Sequence, residues 1–352
     1  MFTPSNGLGP GGLAGLFRQA TRSISLFRCA IALILFLNNT RQASQRCPNW
    51  RVTLLASRIW WQSAFKRYDE QIAILRARGL QVGDVAFAKH ILTHYSYYRL
   101  SAYRFPFQDT KDQFRHGTTF EELWALYVFD RKLRALVGEA CKHLEVSVRA
   151  TWAYIMGESH GPDAYEQGAC FRHQRRYQAN LDSLDRLLGQ SQEPFVSHYR
   201  NQHGMNRPPI WCVTEVMSFG LLSRFYANTA ADRDKKAVAR IYGLSINGFE
   251  SLLEHTVYLR NLSAHHARLW NRQFTVTVSL PQKQPNAVVK SLNPQEPRRL
   301  YNSLVLLGHV VQVVAPESDW LERVRAHVLS LPVKMQADMG FPRDWESRPV
   351  WL

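Results

Sequence analysis

From about residue 68 onward, apolar residues recur along this chain mainly at helical spacing, and alternation of the strand type is nearly absent. In YDEQIAILRARGL, Ile72 and Leu75 follow an acidic first turn and precede Gly79, a C-terminal stop. The next helix is predicted from Asp84 as N-cap, with Val85, Ala88, Ile91 and Leu92 on one face. It runs into a dense aromatic and basic stretch, Tyr95 to Phe107, where Pro106 acts as the stop. The longest periodic segment opens with Thr119 and Glu122 at capping-box spacing. Leu123, Leu126, Leu133, Val137, Ala140, Leu144 and Val148 keep its rhythm, and Gly138 marks a kink or a close helix contact. Residues 157–176 read as loop and 177–189 as a short helix.

Further on, Pro209 opens a helix in NRPPIWCVTEVMSFGLLSRFYANT, and Gly243 closes another in DRDKKAVARIYG. Ser245 or Asn247 caps the next helix, whose Phe249, Leu252, Leu253 and Val257 lead straight into RNLSAHHARLWNR, residues 260–272. QFTVTVSLP is the one convincing alternation and reads as an edge strand or short hairpin. Helices over about 297–314 and 318–330 and an aromatic tail complete a mostly α chain with at most a short β-hairpin.

Composition narrows the class. The 352 residues are 45% hydrophobic and 12% aromatic, which excludes a disordered chain, and the net charge of +16 points to an anionic partner, nucleic acid or membrane surface. A soluble protein that is merely basic is the plainer alternative. Five cysteines stand singly with no CxxC pair, which excludes a zinc ribbon and suits reduced thiols in the cytoplasm. The first 62 residues hold seven Arg and no Lys, Asp or Glu, and the remainder is still basic at +9. The apolar run CAIALILFL within this leader is too short to span a bilayer, so no stable membrane insertion is expected. The leader reads best as upstream sequence brought in by a wrong start. Taken literally, residues 26–37 would instead make the protein membrane-associated.

The stretch 260–272 concentrates the candidate chemistry. Continued as a helix, it sets Asn261, His265, Arg268 and Arg272 in one stripe, with Arg260 in line with Leu253 and Val257 at the border of the core. These residue types suit phosphodiester cleavage in RNA. The 2′-hydroxyl needs a base, the leaving 5′-oxygen an acid, and the phosphorane fixed positive donors; histidine and arginine supply these without a metal. Adjacent His265 and His266 point apart on a helix, with neither HExxH nor an acidic cluster beside them, which argues against a metal site. A solvated basic face accounts for the charges, but not for an Asn and two His beside Trp270.

Several other residues support two readings each. Glu145 and Arg149 are one turn apart and pair with each other, or Glu145 reaches the cleft and holds Arg260. His266 faces the opposite side, for packing or RNA contact, while Arg268 and Arg272 hold flanking phosphates or are simply solvated. The aromatics from Tyr95 to Phe107 stack unpaired bases or, more commonly at such spacing, fill a core. Arg99 and Arg104 are the better RNA contacts there, and Arg131, Lys132 and Arg134 read as a solvated face.

Arg260-Asn261-x-x-x-His265, within the longer RNLSAHHARLWNR, resembles the Arg/His signature of the HEPN superfamily. YSYYRLSAYRFPF, LYVFDRKLR, HLEVSVRA, PPIWCVTEVMSFG and GFPRDW resemble, in order, blocks of one of its branches, the Abi-like phage abortive-infection family (AbiD/AbiF type). The likeness spans about residues 66–347 and leaves the leader outside. It implies a HEPN-type helical bundle with additional helices over 63–292, and a helical extension over 293–352 packed on it. It also implies a metal-independent endoribonuclease toxin that needs no cofactor, acts as a homodimer with a composite cleft, and stalls or kills a phage-infected bacterium. By the same resemblance Arg260 binds and polarises the scissile phosphate, His265 is the general acid or base, and Asn261 orients the phosphate or His265. A partner small RNA or protein antitoxin belongs to the same picture. The competing class is a non-catalytic RNA-binding HEPN protein held in a complex with such a partner.

Overall fold

Burial follows the helical period through residues 65–110 and 112–352, which the computed structural model describes. The chain divides into two units, Met1–Glu70 and Gln71–Leu352, and the second carries the candidate site. Among the described residues there are fourteen α-helices and a single two-stranded sheet, a mostly α fold. The leader with residues 26–37, Cys29 and Cys47 lies outside the described residues.

The first helices are α1 (Tyr68–Ala77), α2 (Val85–Tyr95) and the short α3 (Tyr97–Ser101). Asp84 caps α2 by accepting the Phe87 N–H at 2.8 Å. Ser96, at φ +56°, ends α2 and caps α3, so the aromatic stretch breaks into separate turns rather than continuing one helix. A small antiparallel sheet follows, β1 (Gln108–Thr110) with β2 (Gln113–Phe114).

The scaffold is α4 (Phe120–His160), 41 residues long. Its start is a complete capping box: Thr119 Oγ1 accepts the Glu122 N–H, and Glu122 Oε2 accepts the Thr119 N–H at 2.8 Å. Its apolar stripe is buried throughout, and the helices over 210–216, 232–241, 246–264, 300–314 and 320–329 all pack on it. Residues 157–160, read above as loop, are its last turn, and Gly161 at φ +92° ends it. The close helix contact lies at Gly157 and not at Gly138. A Cβ on Gly157 would stand 3.4 Å from Ile210 Cγ2, whereas one on Gly138 would meet nothing within 4 Å.

Then come α5 (Gln174–Gln190), α6 (Pro194–His203), α7 (Ile210–Val216), α8 (Phe219–Asn228) and α9 (Asp232–Ile241). The segment after Pro209 is thus two helices, because Ser218 leaves the helical conformation to cap α8. α10 (Ile246–Ala264) carries the candidate motif; α11 (Asn286–Ser291), α12 (Leu300–Val314), α13 (Trp320–Leu329) and α14 (Val333–Ala337) complete the unit.

QFTVTVSLP forms no strand. Its backbone is instead held by side chains and by one neighbouring loop. His255 Nδ1 bonds to the Val276 carbonyl (2.9 Å), Ser251 Oγ accepts the Ser279 N–H (2.8 Å), and Phe274 N–H donates to the Arg298 carbonyl (2.9 Å). With Phe274 and Val278 buried, the alternation serves packing along α10, and no second strand is needed. None of the described helices is long and apolar enough to cross a membrane.

Candidate active site at the end of helix α10

Ser245 caps α10 by accepting the Gly248 N–H at 3.1 Å, and Phe249, Leu252, Leu253 and Leu259 seat the helix in the core. The helix stops at Ala264, which overturns the single stripe from Asn261 to Arg272. The His266 N–H donates to the Ser263 carbonyl (3.1 Å) and the Ala267 N–H to the Leu262 carbonyl (2.9 Å). This pair of bonds is a Schellman ending, and His266 takes the left-handed position at φ +55°, where glycine is usual. His265 is the C-cap residue, its N–H on the Asn261 carbonyl at 3.0 Å and its side chain exposed.

Just past this ending a buried carboxylate on α4 holds the chain. Asp130 Oδ1 accepts the backbone N–H groups of Leu269 (3.0 Å) and Trp270 (2.7 Å), while Oδ2 accepts the Tyr103 hydroxyl at 2.6 Å and pairs with Arg134. Burial, and then the Asp130 charge, push the Tyr103 hydroxyl above its ordinary range, so it remains a donor. Arg134 is buried in this pair and does not belong to a solvated face with Arg131 and Lys132. Asp130 and Tyr103 were missed from the sequence. The signal was there, since Leu126, Asp130 and Leu133 occupy successive positions of the apolar stripe of α4.

Arg260 is exposed, with 46% of its side chain open, and does not border the core. Its Nε stands 3.9 Å from Glu145 Oε2, and its Nη1 reaches Asn261 Oδ1 at 3.5 Å. The other oxygen of Glu145 accepts from Arg149 Nη2 at 2.5 Å, and Arg149, buried, also donates to the Thr214 carbonyl. Glu145 therefore does both things the sequence allowed, pairing with Arg149 and lying beside Arg260. Cys141, one turn below, is buried against this charge and pushed up to about 12, so its thiol stays neutral.

The remaining arginines separate. Arg99 Nη1 donates to the His266 carbonyl (2.9 Å), and Arg268 Nη1 donates back to the Ala102 carbonyl (2.7 Å), fastening α3 to the motif turn. Arg268 is therefore turned inward, where burial lowers its guanidinium below the ordinary value, and it does not share the outer face with His265. Arg272 folds back toward the Arg268 carbonyl at 3.4 Å. Arg104 pairs with Asp112 at 3.0 Å beside the small sheet and is not drawn to the motif. Among the described residues no group of three or more His, Cys, Asp or Glu is placed to hold a metal ion, and Cys141, Cys170 and Cys212 are free thiols.

The fold and the turn thus define an α-helical protein that presents Arg260, Asn261 and His265 at an exposed helix end braced from α4. The Abi-like protein family matches residues 90–271, just over half of the chain and the whole of this arrangement, and the chain belongs to that family. Membership associates it with abortive-infection defence. No curated protein and no solved structure matches it.

Proposed function

We propose that this protein is a metal-independent endoribonuclease of the HEPN type acting in abortive infection, with Arg260, Asn261 and His265 as its working residues. The observation that carries the reading is the presentation of these three side chains on one exposed turn, with Arg260 beside a carboxylate already shared with Arg149. In the reaction, the 2′-oxygen attacks the adjacent phosphorus as its proton passes to a base, and the 5′-oxygen leaves as an acid protonates it. The products are a 2′,3′-cyclic phosphate and a 5′-hydroxyl. His265 serves as the acid or the base, Arg260 donates to the non-bridging oxygens as charge builds, and Asn261 steers Arg260 or the phosphate.

His265 follows Arg260 by five residues, well round the helix from it, so a second copy would supply the complementary group. A face suited to that copy lies beside the motif. Val146 and Tyr154 on α4 and Trp211 on α7 are exposed, flanking Arg149. The cytoplasm is the compartment in which such an enzyme meets its RNA.

The test is incubation of total bacterial RNA with purified protein in EDTA, followed by analysis of the new ends. New 2′,3′-cyclic phosphate ends are expected. Cleavage that appears only with added divalent metal overturns the proposal. RNA bound but left uncut would favour the non-catalytic protein that works with a small RNA or antitoxin.

A further inference from the structure

Among the segments without an acidic residue are residues 85–108, with Lys89, Arg99 and Arg104, and residues 255–295, which hold five Lys or Arg. Far apart in sequence, they are docked to each other by the reciprocal bonds Arg99 to the His266 carbonyl and Arg268 to the Ala102 carbonyl. Two carboxylates of other elements pair with arginines here, Asp112 with Arg78 and Arg104, and Glu145 with Arg260. The buried Asp130 is consumed by Arg134 and backbone N–H groups. Arg99 and Arg260, both exposed, therefore leave the motif turn cationic, which suits a polyanion.

The aromatic residues from Tyr95 to Phe107 divide sharply. Tyr95 packs on Trp124 at 4.7 Å between centroids, the Tyr97 hydroxyl accepts from Arg78 at 2.7 Å, and Tyr103 and Phe107 are buried. Tyr98 and Phe105 are exposed, and of the two Tyr98, 74% exposed, is the one on α3. It stands next to Arg99, on a helix that Ser96 caps at one end and the two reciprocal bonds hold at the other. A lone exposed tyrosine is ordinary. One mounted on an acid-free stretch of chain, one residue from the arginine that grips the motif turn, has the parts of a stacking platform.

We propose that α3 is a nucleobase-stacking subsite, in which the Tyr98 ring takes one unpaired base of an RNA strand whose backbone runs past Arg99 toward the His265–His266 turn. This rests on the reading that the protein acts on RNA and names how the strand is held. A second copy is the poorer occupant here, because self-association through this patch would set like charges against each other. A paired base offers no free face to the ring, so the subsite selects single strands.

The experiment uses the His265→Ala protein in EDTA, so that binding is read without cleavage. Fluorescence anisotropy follows a labelled short oligoadenylate and, separately, the same strand annealed to its complement. Tyr98→Ala is expected to weaken the single strand about tenfold and the duplex hardly at all, and Tyr98→Phe to keep near-full affinity. Equal binding of the single strand by Tyr98→Ala overturns the subsite, as does loss of dimers on sedimentation with RNA affinity unchanged. Absence of any RNA binding overturns it too. Tyr98-dependent binding by a wild-type protein that never cleaves would leave the subsite standing and sink the endoribonuclease reading. Cleavage indifferent to Tyr98 would do the reverse.

Discussion

Glu145 answers two arginines with one carboxylate, and the two are not equivalent. Arg149 is buried with an exposure of only 9%, and it depends on that charge; Arg260 is open to water and reaches it loosely at 3.9 Å. The arrangement leaves Arg260 positioned yet available to an incoming phosphate. Replacing Glu145 by Gln keeps the shape and one acceptor but strands the Arg149 charge in the core. Glu145→Gln is therefore expected to lose about 2 kcal/mol of stability by urea denaturation. An unchanged urea midpoint would show that Arg149 is held by the Thr214 carbonyl and solvent alone.

The ending of α10 decides what the motif can do. A helix continued to Arg272 would spread the cationic groups down one face; the Schellman turn instead ends the helix at Ala264, exposes His265 and sends Arg268 inward. His266 pays for that turn with a left-handed backbone. His266→Gly is expected to raise stability by up to about 1 kcal/mol in thermal melts, and His266→Val to lower it by about as much. A loss on His266→Gly would mean that the imidazole itself supports the turn. The helix starts were legible in the residues, because Asp84, Thr119 and Ser245 act locally on N–H groups within three positions. Helix ends were less so. The chain beyond Ala264 is held by Asp130, more than a hundred residues away in sequence, and the backbone of QFTVTVSLP by His255 and Arg298. For the same reason Arg260, Asn261 and His265 could be picked out by their spacing, while Asp130 was marked only by its place on the apolar stripe of α4, and its partners Tyr103 and Leu269 show only once α4 and the turn are side by side.

On the scale of the whole unit, α4 is the beam and α10 the arm, and His255 ties that arm to its surroundings. Its Nε2 bonds to Ser303 Oγ on α12 at 2.7 Å, and its Nδ1 bonds to the Val276 carbonyl. Burial holds His255 down to about 4, well below the usual 6.5, so the folded protein keeps it neutral where the unfolded chain takes up a proton. Its share of stability is therefore fully present above pH 6.5 and is lost progressively as the pH falls toward 4. Between pH 7 and pH 5 urea denaturation should show about 2 kcal/mol more loss in the wild type than in His255→Gln, which cannot titrate at this position, whereas His327, also lowered by burial, titrates in both. Stability independent of pH over that range would mean that His255 is reached by water in the folded state. The central claim concerns what this frame presents, and the most direct measurement is RNA cleavage in EDTA by wild type, Arg260→Ala and His265→Ala, each first shown to be folded by its melting curve. Both side chains are exposed, so both variants should fold as the wild type does and lose cleavage by at least about a hundredfold. Cleavage at the wild-type rate by either folded variant would contradict the account.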